Sequence, residues 1–128
     1  MPAASPLVLI VDDSAMNLKL AGDLLVVAGF RTLTAGSGEE AVALAAERLP
    51  DLILMDLRLP DMDGADAARL LARDVRTASI PVVALTSVAL EEASAWLADA
   101  GFADYIEKPI DVETFPQLVR RYCRPTTR

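Results

Sequence analysis

The chain has 128 residues, 53% hydrophobic and 24% charged, which suits one folded domain with a real core and excludes a disordered chain. Its net charge of −7 argues against nucleic acid held on a basic face, and no apolar run nears the ~20 residues of a membrane span. The absence of histidine removes histidine triads, histidine metal ligands and a phosphohistidine carrier, while a single cysteine, Cys123, removes an internal disulfide and a multi-cysteine zinc site.

In chain order, a short apolar run, a turn and a helical stretch repeat five times. The first run is Leu7–Val11; no basic residue precedes it and it is too short for a signal-peptide core, so a cytoplasmic location is expected. A helix over about 14–28 follows, with Leu18, Ala21, Leu25 and Ala28 on one face and Gly29 as its stop. The second pair is Phe30–Ala35 and a helix over about 38–49, ended by Pro50. The third is Asp51–Asp56 and a helix over about 64–75. The fourth is Ile80–Thr86 and a helix over about 90–100, with Leu90, Ala93, Leu97 and Ala100 on one stripe and Trp96 at its edge as a packing residue. The fifth is Ala103–Glu107 and a helix over about 111–123, with Phe115, Leu118, Val119 and Tyr122 at helical spacing. Pro116 lacks an N–H, so this last helix should start near Thr114 or be kinked in its first turn.

Strings such as LVLIV, LILM and PVVAL are apolar on both faces and read as interior parallel strands. Alternating strands and helices imply right-handed βαβ units, here an α/β, doubly wound, five-stranded parallel sheet in one domain over residues 1–128, with its core at about 7–122. Ligand chemistry in such sheets sits at the carboxyl ends of the strands. Those ends carry Asp12 and Asp13, then Asp56, Thr86, and Lys108 before Pro109. Like charges about 4 Å apart repel by roughly 4 kcal/mol at an effective dielectric near 20, and one lysine does not neutralise three carboxylates. A bound divalent cation does, and all-oxygen donors favour Mg²⁺ or Mn²⁺ over zinc. A carboxylate beside such a cation and a lysine suits phosphoryl chemistry with Asp56 as nucleophile, since it ends the central strand. Taken singly, each residue has a plainer reading: Asp13 ahead of Ser14 is equally a helix N-cap, and Lys108-Pro109 an ordinary loop.

Together, Asp12-Asp13, Asp56, Thr86 and Lys108-Pro109, with the strings LIVDDSAMN, DLILMDLRLPDMDG, PVVALTS and YIEKP, resemble the CheY-like receiver domain of bacterial two-component response regulators from about Leu7 to Tyr122. The resemblance implies a flavodoxin-like sheet with strand order 2-1-3-4-5. It implies that Asp56 accepts a phosphoryl group from a phosphohistidine of a sensor histidine kinase or histidine phosphotransfer protein. It implies Mg²⁺ (or Mn²⁺) on Asp13, Asp56 and the backbone carbonyl of Arg58, with Asp12 acting through water. Lys108 would contact the phosphoryl group across a cis bond to Pro109, Thr86 would move to a phosphoryl oxygen, and Tyr105 would change rotamer with it. That shift would remodel the face of the fourth helix, fifth strand and fifth helix toward a downstream protein. The chain, ending soon after helix five, is expected to be a stand-alone receiver, monomeric or dimerising on phosphorylation, without direct nucleic-acid or membrane contact. The string around Asn17 and Lys19 resembles cell-division-type single-domain regulators and hybrid-kinase receivers alike.

A phosphorylation-independent scaffold and a receiver fragment of a larger hybrid protein are the alternatives. An aspartate-nucleophile phosphatase would need a second acid two residues on, where this chain has Ser14 or Arg58. A flavodoxin-type flavin protein would need a Ser/Thr/Gly-rich loop where Asp12-Asp13 stands. Arg58 is expected to affect the lifetime of the phosphoryl group. Arg120, Arg121, Arg124 and Arg128 read as compensation of a helix dipole, with partner docking as the rival, and Cys123 reads as inert.

Overall fold

The computed structural model of the chain describes residues 5–87, 95 and 97–123. Leu90, Ala93, Trp96, Arg124 and Arg128, and with them most of the expected fourth helix, lie outside the described residues. The elements run β1 (Leu7–Val11), α1 (Ala15–Val27), β2 (Arg31–Ala35), α2 (Gly38–Arg48), β3 (Leu52–Asp56), α3 (Gly64–Arg73), β4 (Val82–Thr86), the helical residues 97–100 (α4), β5 (Asp104–Glu107) and α5 (Phe115–Tyr122). All strand pairs are parallel and the order is β2-β1-β3-β4-β5.

Every residue of β1, β3 and β4 is buried, as strings apolar on both faces require of strands covered twice. Successive side chains leave a strand on opposite faces, so each strand feeds two cores. Leu9, Val11, Ile53, Met55 and Ala84 pack with Ala41, Ala45, Ala67 and Leu71 on the side of α2 and α3. Val8, Ile10, Leu54, Val83 and Leu85 pack with Ala21, Leu25, Phe115 and Val119 on the side of α1 and α5. Leu97 and Ala100 are buried in the first core.

Caps set the helix ends. Ser14, not Asp13, is the N-cap of α1: its hydroxyl accepts the Asn17 N–H at 3.3 Å. Gly29, at φ 99°, then turns the chain into β2. α2 stops one residue earlier than its pattern suggests, because Pro50 disfavours a helical Leu49, which leaves by the left-handed region at φ 49°. α5 starts at Phe115 behind Thr114, which puts Pro116 in the first turn, where its missing N–H breaks no ladder. Residues 112–114 form a turn and not the start of a longer helix.

Of the arginines at the chain's basic end, Arg120 does more than compensate a helix dipole. Arg120 donates to the Ala28 carbonyl at 2.8 Å and lies 4.7 Å over the Phe30 ring, so it ties α5 to the end of α1. Phe115 is 1% exposed and anchors α5 on the sheet. Phe115→Ala should therefore destabilise the protein by about 3–5 kcal/mol in urea unfolding. A loss below about 1 kcal/mol would mean that α5 is not docked as described.

Candidate functional site

Register assembles the site. Val11 pairs with Met55, so the next residues, Asp12 and Asp56, leave neighbouring strands side by side. Thr86 ends β4 opposite Glu107, and the Lys108 N–H donates to the Thr86 carbonyl at 2.8 Å. The Lys108-Pro109 peptide is cis. Lys108 Nζ then reaches Asp56 at 3.1 Å and Asp12 at 3.3 Å. Asp12 and Thr86 are each 2% exposed and Asp56 9%, whereas Asp13 and Arg58 are exposed.

One carboxylate oxygen from each of Asp12, Asp13 and Asp56 lies within 4.8 Å of the other two. Among the described residues, Lys108 is the only cation in an ion pair with the cluster. One ammonium against three carboxylates leaves two negative charges in excess. Burial works against charge on Lys108, but the hydrogen bond and charge of Asp56, with Asp12 behind them, outweigh it and raise its pKa. It stays protonated at neutral pH. Hard, anionic oxygen donors around a charge deficit fit a magnesium-like cation.

The carboxylates are further held by groups that spacing alone does not announce. Asp12 accepts the Ser14 N–H at 2.9 Å and the Asn17 side-chain amide at 3.2 Å. Asp56 accepts the Arg58 N–H at 3.1 Å, which turns the chain back over the strand end. A Cβ on Gly64 would strike the Asp56 carbonyl, so only glycine lets α3 start this close. Tyr105 is half-buried against the α2–α3 core and pairs with Ala84 in β4, two residues before Thr86.

The loop between β3 and α3 is pinned at its apex. Both carboxylate oxygens of Asp61 accept backbone N–H groups at the start of α2, from Gly38 and Glu39, each at 2.8 Å. These bonds, Glu39's first, hold the Asp61 carboxyl below its usual pKa. Cys123, in contrast, is pushed up to about 11, chiefly by burial, which fits an inert thiol.

The response regulator receiver domain family matches residues 8–120. The polar-differentiation response regulator DivK of Brucella ovis is 39% identical over 115 residues, covering 90% of this chain and 94% of DivK. Among solved structures, the chemotaxis response regulator CheY4 of Vibrio cholerae superposes with a TM-score of 0.87 at 27% identity, over 92% of this chain and 98% of CheY4. The receiver domain of the sensor histidine kinase PA1611 from Pseudomonas aeruginosa PAO1, with a magnesium ion coordinated in its active-site cleft, superposes at 0.84 with 31% identity, over 93% of this chain and 98% of that domain. No described helix is long and apolar enough to cross a membrane.

A depressed carboxyl pKa adds stability above the unfolded value and loses it as pH falls through the folded one. Asp61→Ala should therefore lower the melting temperature at pH 7, and the gap to wild type should narrow below about pH 4. Thermal unfolding monitored by circular dichroism across pH reads this. A gap that is constant or widens in acid would contradict the Asp61 clamp.

Proposed function

Because this chain belongs to the response regulator receiver domain family, we propose that it is a switch in which Asp56 accepts a phosphoryl group from a phosphohistidine of a sensor histidine kinase or a histidine phosphotransfer protein. The observation that carries this reading is the nearly buried Asp56 carboxylate, 3.1 Å from a protonated lysine and inside a cluster of acids. An Asp56 oxygen attacks phosphorus, the new P–O bond forms as the partner's P–N bond breaks, and the electron pair returns to the imidazole. Asp13, Asp56 and the Arg58 carbonyl would hold Mg²⁺ or Mn²⁺, with Asp12 acting through water. When bound, such a cation would screen the charge on the transferring oxygens.

The other steps belong to the chain's own residues. Lys108 leaves its ion pairs to donate to a phosphoryl oxygen. The Thr86 hydroxyl, at the end of the adjacent strand, takes another. Phosphorylation adds about −1.5 to −2 charge on a side chain, so this edge gains anionic oxygens that attract both groups. Movement of Thr86 changes the space open to Tyr105, two register positions away, and so biases the face of α4, β5 and α5 toward one of two states. The downstream protein reads that face. The switch acts in the cytoplasm and also hydrolyses its own acyl phosphate.

Intact mass after incubation with acetyl phosphate and Mg²⁺ tests the acceptor. Wild type should gain one phosphoryl group and Asp56→Asn none; equal gain in both, or no gain together with no beryllofluoride binding, would overturn the assignment. Lys108→Ala should slow labelling at least ~10²-fold, since it removes a charged donor aimed at the developing charge. Arg58, exposed and two residues past Asp56, stands beside the approach of water. Arg58→Ala should hasten loss of the label, and an unchanged decay would remove it from this role.

A further inference from the structure

A groove of about 280 Å³ runs between β5 and α5, floored by Ile106, Phe115 and Leu118 and walled by Tyr105 and Tyr122. Its rim is acidic. Glu107 and Asp111 line it, and both are exposed. Asp104, outside the groove lining, carries a further exposed carboxylate, which accepts the Tyr105 N–H at 2.8 Å and acts on the Tyr122 phenol. No lysine or arginine is among the described residues that line the groove. Of the nearby cations, Lys108 is committed to Asp12 and Asp56 and Arg120 to the Ala28 carbonyl, while Arg121, exposed beside Tyr122, is outside the groove lining.

An apolar floor with two tyrosine faces and a carboxylate rim is complementary to one kind of side-chain set. Tyrosine rings attract ammonium and guanidinium groups, and the carboxylates raise the local concentration of cations within a Debye length of about 8 Å. An acidic segment would instead meet the like charges of Glu107 and Asp111. We propose that the groove seats a basic amphipathic segment of the downstream protein, with an arginine or lysine against Tyr105, Tyr122 and the acidic rim and an apolar side chain on Phe115 and Leu118. This rests on the reading of the β5–α5 face as the output face, and it adds the chemistry of the partner. Because Tyr105 is both a wall of the groove and the residue expected to change rotamer, the seat is also where phosphorylation would be read.

The test uses the full chain, ¹⁵N-labelled, with and without beryllofluoride and Mg²⁺. The probe is a synthetic amphipathic helix with leucine on one face and arginine on the other; the control carries glutamate in place of arginine. The arginine peptide should shift the amides of Tyr105, Glu107, Phe115, Leu118 and Tyr122 saturably, and the glutamate peptide should not. The double variant Glu107→Gln/Asp111→Asn should bind the arginine peptide about tenfold more weakly. Equal binding by the two peptides, equal binding by the variant, or shifts spread over Glu39 and Glu40 of α2 would overturn the proposal. Acetyl phosphate labelling is followed in the same samples. Labelling of Asp56 without localised peptide shifts removes the groove alone, and localised shifts without labelling remove the phosphoacceptor reading alone.

Discussion

Lys108 Nζ lies between two carboxylates from different strands, 3.1 Å from Asp56 and 3.3 Å from Asp12, and a third carboxylate, Asp13, shares the same few ångströms. The parallel sheet makes this crowding unavoidable. Once Val11 pairs with Met55, the acids that follow them must emerge together, and no side-chain rotation takes a nearly buried Asp12 far away. The energy that builds the sheet, the burial of β1, β3 and β4 on both faces, is thus what forces like charges together. One ammonium offsets only one of these three carboxylates. The remainder is an electrostatic deficit that a divalent cation can resolve.

The rest of the fold keeps that deficit in place. Asp12 is fixed by the Ser14 N–H and the Asn17 amide, and Asp56 by the Arg58 N–H. Gly64 lets α3 begin against the Asp56 carbonyl, and Asp61 ties the intervening loop to α2. The Lys108 backbone is bonded to the Thr86 carbonyl, so the ammonium and the hydroxyl of the proposed switch ride on the same strand pair. Charge placed on Asp56 is therefore felt first by residues that β4 and β5 already hold in register, and Tyr105 lies on that same pair.

Much of this was legible in the chain because it depends on periodicity and on strand ends. Doubly apolar strings announced three interior strands, and each acid, hydroxyl or lysine of interest followed directly on an apolar run. Pro116 announced where α5 begins, since a missing N–H has a local meaning. What sequence could not give is contact across elements. Asn17 reads as an exposed helix residue until its amide is seen on Asp12. Asp61 reads as a loop acid until both of its oxygens are seen on α2. Arg120 reads as a helix-end charge until it is seen on Ala28 and Phe30. The Leu49 exit from α2 follows from a local clash with Pro50, yet nothing in the spacing of apolar residues marks it.

The central claim is that this acidic edge is under charge strain that a divalent cation relieves. The most direct measurement is the melting temperature of wild type and Asp13→Asn, each in EDTA and in Mg²⁺. Asp13 is exposed and forms no part of either core, so its substitution changes charge more than packing. The account predicts that Asp13→Asn melts higher than wild type in EDTA, and that Mg²⁺ raises wild type by more than the variant. A variant that melts lower than wild type in EDTA, or an equal response of both to Mg²⁺, would contradict it.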